Sequence, residues 1–191
     1  MVVFNHPLFV SYLLISALMM AGESAFNTSA SFILIKGENF TSAQYGTIKT
    51  TMAIMHLLGT ACCGLIAKYY HSIQLTKLGV RFFIFAAFLM WLFVFSAENI
   101  YLTFIVPMVI YYFGTGFIVA SATASAVRPF PQQMALALAI TLFCQFNCSA
   151  FFSFITSMIG IQQVETFMFL LSLVSILSFL ALLKLQRMEP C

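Results

Sequence analysis

An all-α transmembrane fold, a single bundle of six helices, is what this chain of 191 residues predicts, and three observations carry it. Hydrophobic residues make up 62% of the chain and charged residues 7%, against about 25% charged in a soluble domain. Six apolar stretches, each longer than the roughly 20 residues that cross hydrocarbon as a helix, fill the sequence almost end to end. The Lys and Arg residues between those stretches collect at alternate gaps.

The stretches run from Leu8 to Ile35, Ser42 to Ala67, Leu75 to Ser96, Ile100 to Val127, Pro131 to Gly160 and Gln162 to Leu185. None shows the alternating pattern of a barrel strand about ten residues long, so backbone polar groups must be satisfied inside each segment, as helices do. Turn residues mark the boundaries: Lys36-Gly37-Glu38-Asn39, the polar run from Lys68 to Lys77, Glu98-Asn99, Arg128-Pro129-Phe130-Pro131, and Gly160 to Gln163. No linker or soluble domain interrupts them.

The second, fourth and terminal gaps hold Lys68, Lys77, Arg81, Arg128, Lys184 and Arg187, whereas the other side holds Lys36 and, nearby in the second helix, Lys49. The positive-inside rule then places both termini in the cytoplasm. The first stretch lacks a basic leader and is too long for a signal-peptide core, so it is expected to stay as a helix. The net charge of +3 is this loop excess and implies no nucleic-acid partner. The lipid bilayer is the partner the composition implies.

Cys62, Cys63, Cys144 and Cys148 lie inside helices and read as small apolar packing residues, and Cys191 ends a tail expected to be reducing. Cys144 and Cys148 share a helical face with no His or carboxylate beside them, so no metal site is expected. The chain has no Asp and no paired His or His-Glu cluster, which argues against an intramembrane enzyme.

Glu23 is the acid placed clearly at membrane depth. A carboxylate there costs several kcal/mol unless it faces water, meets a cation or takes a proton, which makes it a functional candidate. Lys49, roughly 10 Å into the second helix at about 1.5 Å per residue, is its expected partner. The pair is either structural or contacts substrate or protons. His56, seven residues after Lys49, lies on the same helical face and is a candidate proton relay beside its ordinary reading as a packing residue. Ser24, Asn27, Thr28, Ser29 and Ser31 extend the polar face of the first helix. This suits the wall of a wet cavity, which Gln145 and Asn147 of the fifth helix are expected to share. Phe26, Phe143 and Phe146 are candidate rings for an apolar or cationic ligand.

Gly114, Gly116, Ala120 and Ala124 place small residues along the fourth helix, which permits close backbone approach. Pro107, earlier in the same helix, is expected to bend it.

The order of these features resembles the C-terminal six-helix half of a major facilitator superfamily transporter of the bicyclomycin-resistance type, a drug:proton antiporter. The opening Asn5-His6-Pro7-Leu8-Phe9-Val10-Ser11-Tyr12, Ala21-Gly22 through Ala25-Phe26, and Ser31-Phe32-Ile33-Leu34-Ile35 are similar to that family's seventh helix. Phe40-Thr41-Ser42-Ala43-Gln44-Tyr45-Gly46 resembles the turn into its eighth. Leu58-Gly59 through Gly64-Leu65-Ile66 resembles the packing run that follows. Phe113-Gly114-Thr115-Gly116, leading through Ala122-Thr123-Ala124 to Pro129-Phe130-Pro131, resembles its tenth helix and turn. The chain departs from the pattern at Ala120-Ser121, where family members usually carry Pro-Asn, and at Ala135 to Ala139. The family's proton-coupling acid lies in the half this sequence lacks, so the resemblance gives Glu23 no role.

The resemblance implies half of a proton-coupled efflux transporter for a small apolar or cationic drug or metabolite, working by alternating access. The proton gradient serves as its energy source and no cofactor takes part. Such a half is expected in a bacterial inner membrane beside a separate N-terminal half or a second copy. The alternative is a non-transporting membrane subunit, or an inactive remnant of a split gene.

Overall fold

The computed structural model describes residues 6–95, 99–161 and 163–188. Asn5, Ser96, Glu98, Gln162 and Cys191, which figure in the expectations above, lie outside the described residues. Among the described residues every regular element is helical, and six helices are long and apolar enough to cross a bilayer: α1 (Pro7–Gly37), α2 (Ser42–Ile66), α3 (Ser72–Val94), α4 (Tyr101–Val127), α5 (Pro131–Ile159) and α6 (Val164–Met188). The chain is a multi-pass membrane protein.

Local chemistry fixes the helix ends. At the start of α2 the Thr41 hydroxyl accepts from the Gln44 amide at 3.2 Å while Gln44 Oε1 accepts from the Thr41 amide at 2.8 Å, so two otherwise unpaired donors are satisfied reciprocally. α3 starts at Ser72, three residues earlier than the apolar run, because Gln74 Oε1 takes the His71 amide at 3.1 Å. Gly160, at φ 64°, ends α5 in the left-handed conformation that costs glycine least. In α4 a π-helical turn, Tyr101–Ile105, lies just ahead of Pro107 and absorbs the missing proline N–H; a second, Val119–Thr123, falls in the small-residue run.

α1 and α4 form the centre. Their most apolar stretches are 67% buried, against 22% for α2 and 17% for α5, whose outer faces meet no other helix. α1 packs on α5 and α6, α4 packs on α2 and α3, α3 packs on α6, and α1 touches α4. Exchanging α1 with α4, α2 with α5 and α3 with α6 leaves that set of neighbours unchanged. Because each half of the exchange holds three spans, the second triplet crosses the bilayer in the opposite sense from the first. The last three helices thus repeat the neighbour pattern of the first three.

Helices in lipid gain nothing from hiding apolar surface from each other, so packing and interhelical hydrogen bonds must hold them. Phe83 stacks on Tyr111 at 4.2 Å, and Phe26, Phe104 and Phe167 meet pairwise at 5.2–6.3 Å in the centre. Thr76 pairs with Ser121 at 2.9 Å, Trp91 Nε1 donates to Ser172 at 2.8 Å, and Ser175 donates to the Phe83 carbonyl at 3.2 Å.

Candidate functional site

Two glycine seams determine where the polar side chains meet. A methyl on Gly116 would strike the backbone of His56, Thr60 and Gly59, and one on Gly59 would strike the Phe113 carbonyl, so α2 and α4 touch backbone to backbone. Gly22 of α1 leaves the space filled by the Tyr111 hydroxyl, which donates to the Met19 carbonyl at 3.2 Å. Three helices are thus drawn together around mid-span, beside Glu23, His56 and Thr115.

His56 Nδ1 lies 2.7 Å from Thr115 Oγ1 and 3.4 Å from Glu23 Oε1. Thr115 also donates to the Tyr112 carbonyl at 2.7 Å. A threonine hydroxyl has one proton, and the carbonyl can only accept it. The arrangement satisfying both contacts therefore puts a proton on His56 Nδ1, donated toward Thr115 and facing the Glu23 carboxylate. His56 Nε2 remains for a second proton, which would make the ring a cation beside an acid. The His56 and Glu23 side chains are 28% and 17% exposed, so the pair is not sealed in the core.

About one turn toward the Lys36 end lies a second layer. Asn27 Oδ1 accepts from Lys49 Nζ and from the Tyr112 hydroxyl, the latter at 3.3 Å. Lys49, the partner expected for Glu23, is instead bonded to Asn27, and the side chain 3.4 Å from the Glu23 carboxylate is His56. Seven residues of spacing put Lys49 and His56 on one face, and the docking of α1 sets Glu23 against the deeper one. Lys49 Nζ also sits 5.0 Å above the Phe26 ring. Phe26 itself is fully buried against Phe104, Tyr112 and Phe167. It is not an open platform for a ligand, because the cation on its face belongs to the chain.

The residues expected from α5 do not join this cluster. Gln145 is buried and its Nε2 lies 3.4 Å from Thr123 Oγ1 of α4. Asn147 donates to the Phe143 carbonyl of its own helix at 2.8 Å and is exposed. Phe143 and Phe146 are exposed on the outer face of α5. In the small-residue run, Gly114 faces α3, where a methyl would come 2.7 Å from Phe82 Cβ, and Gly116 faces α2. Ala120 packs beside Cys63, Leu75 and Phe117, whereas Ala124 is exposed and contributes to no seam.

Sequence reasoning missed Thr115, Tyr112 and Gly22. A hydroxyl between two glycines, as in Gly114-Thr115-Gly116, was the available signal for Thr115: flanking glycines let a neighbouring helix come close enough to bond it. Among the described residues no three His, Cys, Asp or Glu side chains gather in a way that could hold a metal ion. Compared with known protein families, with curated protein sequences and with solved structures, the chain matches none of them.

Proposed function

We propose that this protein is half of a proton-coupled efflux transporter for a small apolar or cationic drug or metabolite, working by alternating access in a bacterial inner membrane with both termini cytoplasmic. The observation that carries the reading is the Glu23–His56–Thr115 cluster at mid-membrane, partly open and built from three helices. An ionisable pair at that depth is costly and is retained where it meets ions, protons or substrate. The matching neighbour pattern of the two helix triplets supports the same reading, since transporter sites lie at mid-membrane between inverted repeats.

In this mechanism Glu23 is the shared acceptor. A proton taken up at His56 Nε2 gives an imidazolium that neutralises Glu23, and a cationic substrate approaching the open side of Glu23 competes for the same charge. Each lowers the other's occupancy, the requirement for exchange. Lys49, held by Asn27 above the Phe26 ring, adds positive charge one turn away. The outer face of α2, where a methyl added at Gly46 or Gly64 would meet no atom within 4 Å, is where an N-terminal half or a second copy would pack.

The test is proton movement in inverted membrane vesicles containing the chain, challenged with lipophilic cations. A substrate-triggered signal that Glu23→Gln abolishes, with the variant inserted at normal level, is expected. A signal that the variant keeps undiminished would refute the role of Glu23. Silence from correctly inserted wild type, alone and co-expressed with candidate halves, would refute transport.

A further inference from the structure

The end of the bundle bearing Lys68, Lys77, Arg81, Arg128, Lys184 and Arg187 holds a groove of about 520 Å³ between the last turn of α2 and the first turns of α3. Ile66 and Leu78 give it an apolar wall, and Tyr70, Gln74, Lys77 and Arg81 line the rest. We propose that this groove binds an anionic phospholipid, with the phosphate between Lys77 and Arg81 and an acyl chain along Ile66 and Leu78. The proposal is independent of transport.

Three features point to this occupant. Lys77 and Arg81 are four residues apart, one turn of α3, and so share a face. Arg81 lies nine residues into α3, roughly 13 Å along the axis at about 1.5 Å per residue. Its Cα is thus within the apolar layer while its side chain is exposed. Helical side chains lean toward the helix N-terminus, which for α3 is the basic end. A guanidinium leaning that way extends along the groove toward the basic end.

Charge complementarity selects the headgroup. Among the described residues no carboxylate lies within ion-pair distance of Arg81; Glu23 is at mid-depth, Glu38 and Glu165 sit by the turns at the opposite end, and Glu98 and Glu189 lie outside the described residues. A guanidinium matches a phosphodiester through two parallel hydrogen bonds. Basic pockets between membrane helices take acidic headgroups in this way, and the exposed Tyr70 suits the interface, with an apolar body and a polar tip.

The experiment is native mass spectrometry of the purified protein titrated with phosphatidylglycerol or phosphatidylcholine. Wild type is expected to retain phosphatidylglycerol preferentially. Lys77→Gln with Arg81→Gln is expected to lower that retention about tenfold or more, the loss of at least one charged hydrogen bond. Lys68→Gln with Lys184→Gln, outside the groove, is expected to leave it unchanged. Equal loss in both double variants would show diffuse attraction by the basic end and overturn the site. Release of the lipid by millimolar inorganic phosphate would also overturn it, leaving a plain anion site. A second measurement keeps the native charges: in a Trp91→Phe background, Tyr70→Trp fluorescence is expected to be quenched more by brominated phosphatidylglycerol than by brominated phosphatidylcholine. Equal quenching would refute the proposal even if the charge variants fail to fold.

Discussion

One methyl group added at Gly116 tests whether the α2–α4 seam builds the site. In Gly116→Ala the new Cβ would lie 2.5 Å from the Thr60 nitrogen and 2.8 Å from the Gly59 carbonyl carbon, where ordinary contact begins at 3.4 Å. These neighbours and the His56 carbonyl oxygen, which lies closer still, are all backbone, so none can rotate away, and α2 must retreat by roughly 1 Å to restore contact. Retreat by that amount stretches His56 Nδ1 to Thr115 Oγ1 from 2.7 Å to about 3.7 Å, which is no longer a hydrogen bond. Overpacking of this kind costs about 1–3 kcal/mol, and the two bonds across the seam, His56 to Thr115 and Thr60 to the Gly116 carbonyl, add about 0.6 kcal/mol each. The expected loss is about 2–4 kcal/mol in reversible unfolding from mixed micelles to SDS. Gly64→Ala is the control, because nothing lies within 4 Å of the Cβ it adds and helices persist in SDS, so its expected change is near zero. The ¹⁵N signal of His56 should move in Gly116→Ala and stay in Gly64→Ala. Equal stability of the two variants with an unmoved His56 signal would refute the seam as the device that positions the site.

The second polar layer and the aromatic centre allow two further measurements. A double-mutant cycle of Lys49→Gln with Asn27→Ala should return a coupling of about 0.6–1.7 kcal/mol, the range of hydrogen bonds between membrane helices, whereas Lys49→Gln with Glu23→Gln should couple more weakly; the reverse order would restore Lys49 as the direct partner of Glu23. Phe26→Ala should cost about 3 kcal/mol or more as a core truncation, while Phe146→Ala on the exposed face of α5 should stay within about 0.5 kcal/mol; comparable losses would mean that α5 is covered.

Some of this was legible from the sequence and some was not, for reasons the residues make plain. Glu23 stands out because a lone acid in an apolar run has no cheap explanation. Lys49 and His56 could be placed on one face of α2 by their spacing, but which of them meets Glu23 depends on the offset between α1 and α2. That offset is set by Gly22 against Tyr111 and by Gly59 against Gly116, contacts far apart in sequence. Gln145 and Asn147 failed as cavity partners for the same reason: polarity marks a residue as needing a partner without naming the helix that supplies it. Gln145 finds Thr123, and Asn147 bonds to its own backbone. The equivalence of α1–α3 with α4–α6 was equally hidden, because it resides in which helices touch and not in repeated residues.

That equivalence makes the differences between the two halves informative. The α2–α4 seam corresponds under the exchange to the α5–α1 seam, yet the first is closed by glycine backbone contact and the second by a hydroxyl pair, Thr28 to Ser153, at 2.7 Å. Beside that pair, a cavity of about 170 Å³ opens between α1 and the end of α5, lined by Thr28, Phe32, Thr156 and Gly160 among others. Backbone contact resists sliding because nothing in it can rearrange, whereas side chains next to a void can exchange partners. If the bundle changes shape in a transport cycle, the α1–α5 seam is the one free to move. Paired Thr28→Cys and Ser153→Cys substitutions, in a background with the native cysteines replaced, should oxidise to a disulfide because the two side-chain oxygens already touch. The cross-link should abolish the substrate-triggered proton signal in vesicles, and dithiothreitol should restore it. A full signal from quantitatively cross-linked protein would place the motion elsewhere, and the glycine seam would then lose its standing as the fixed side of the bundle.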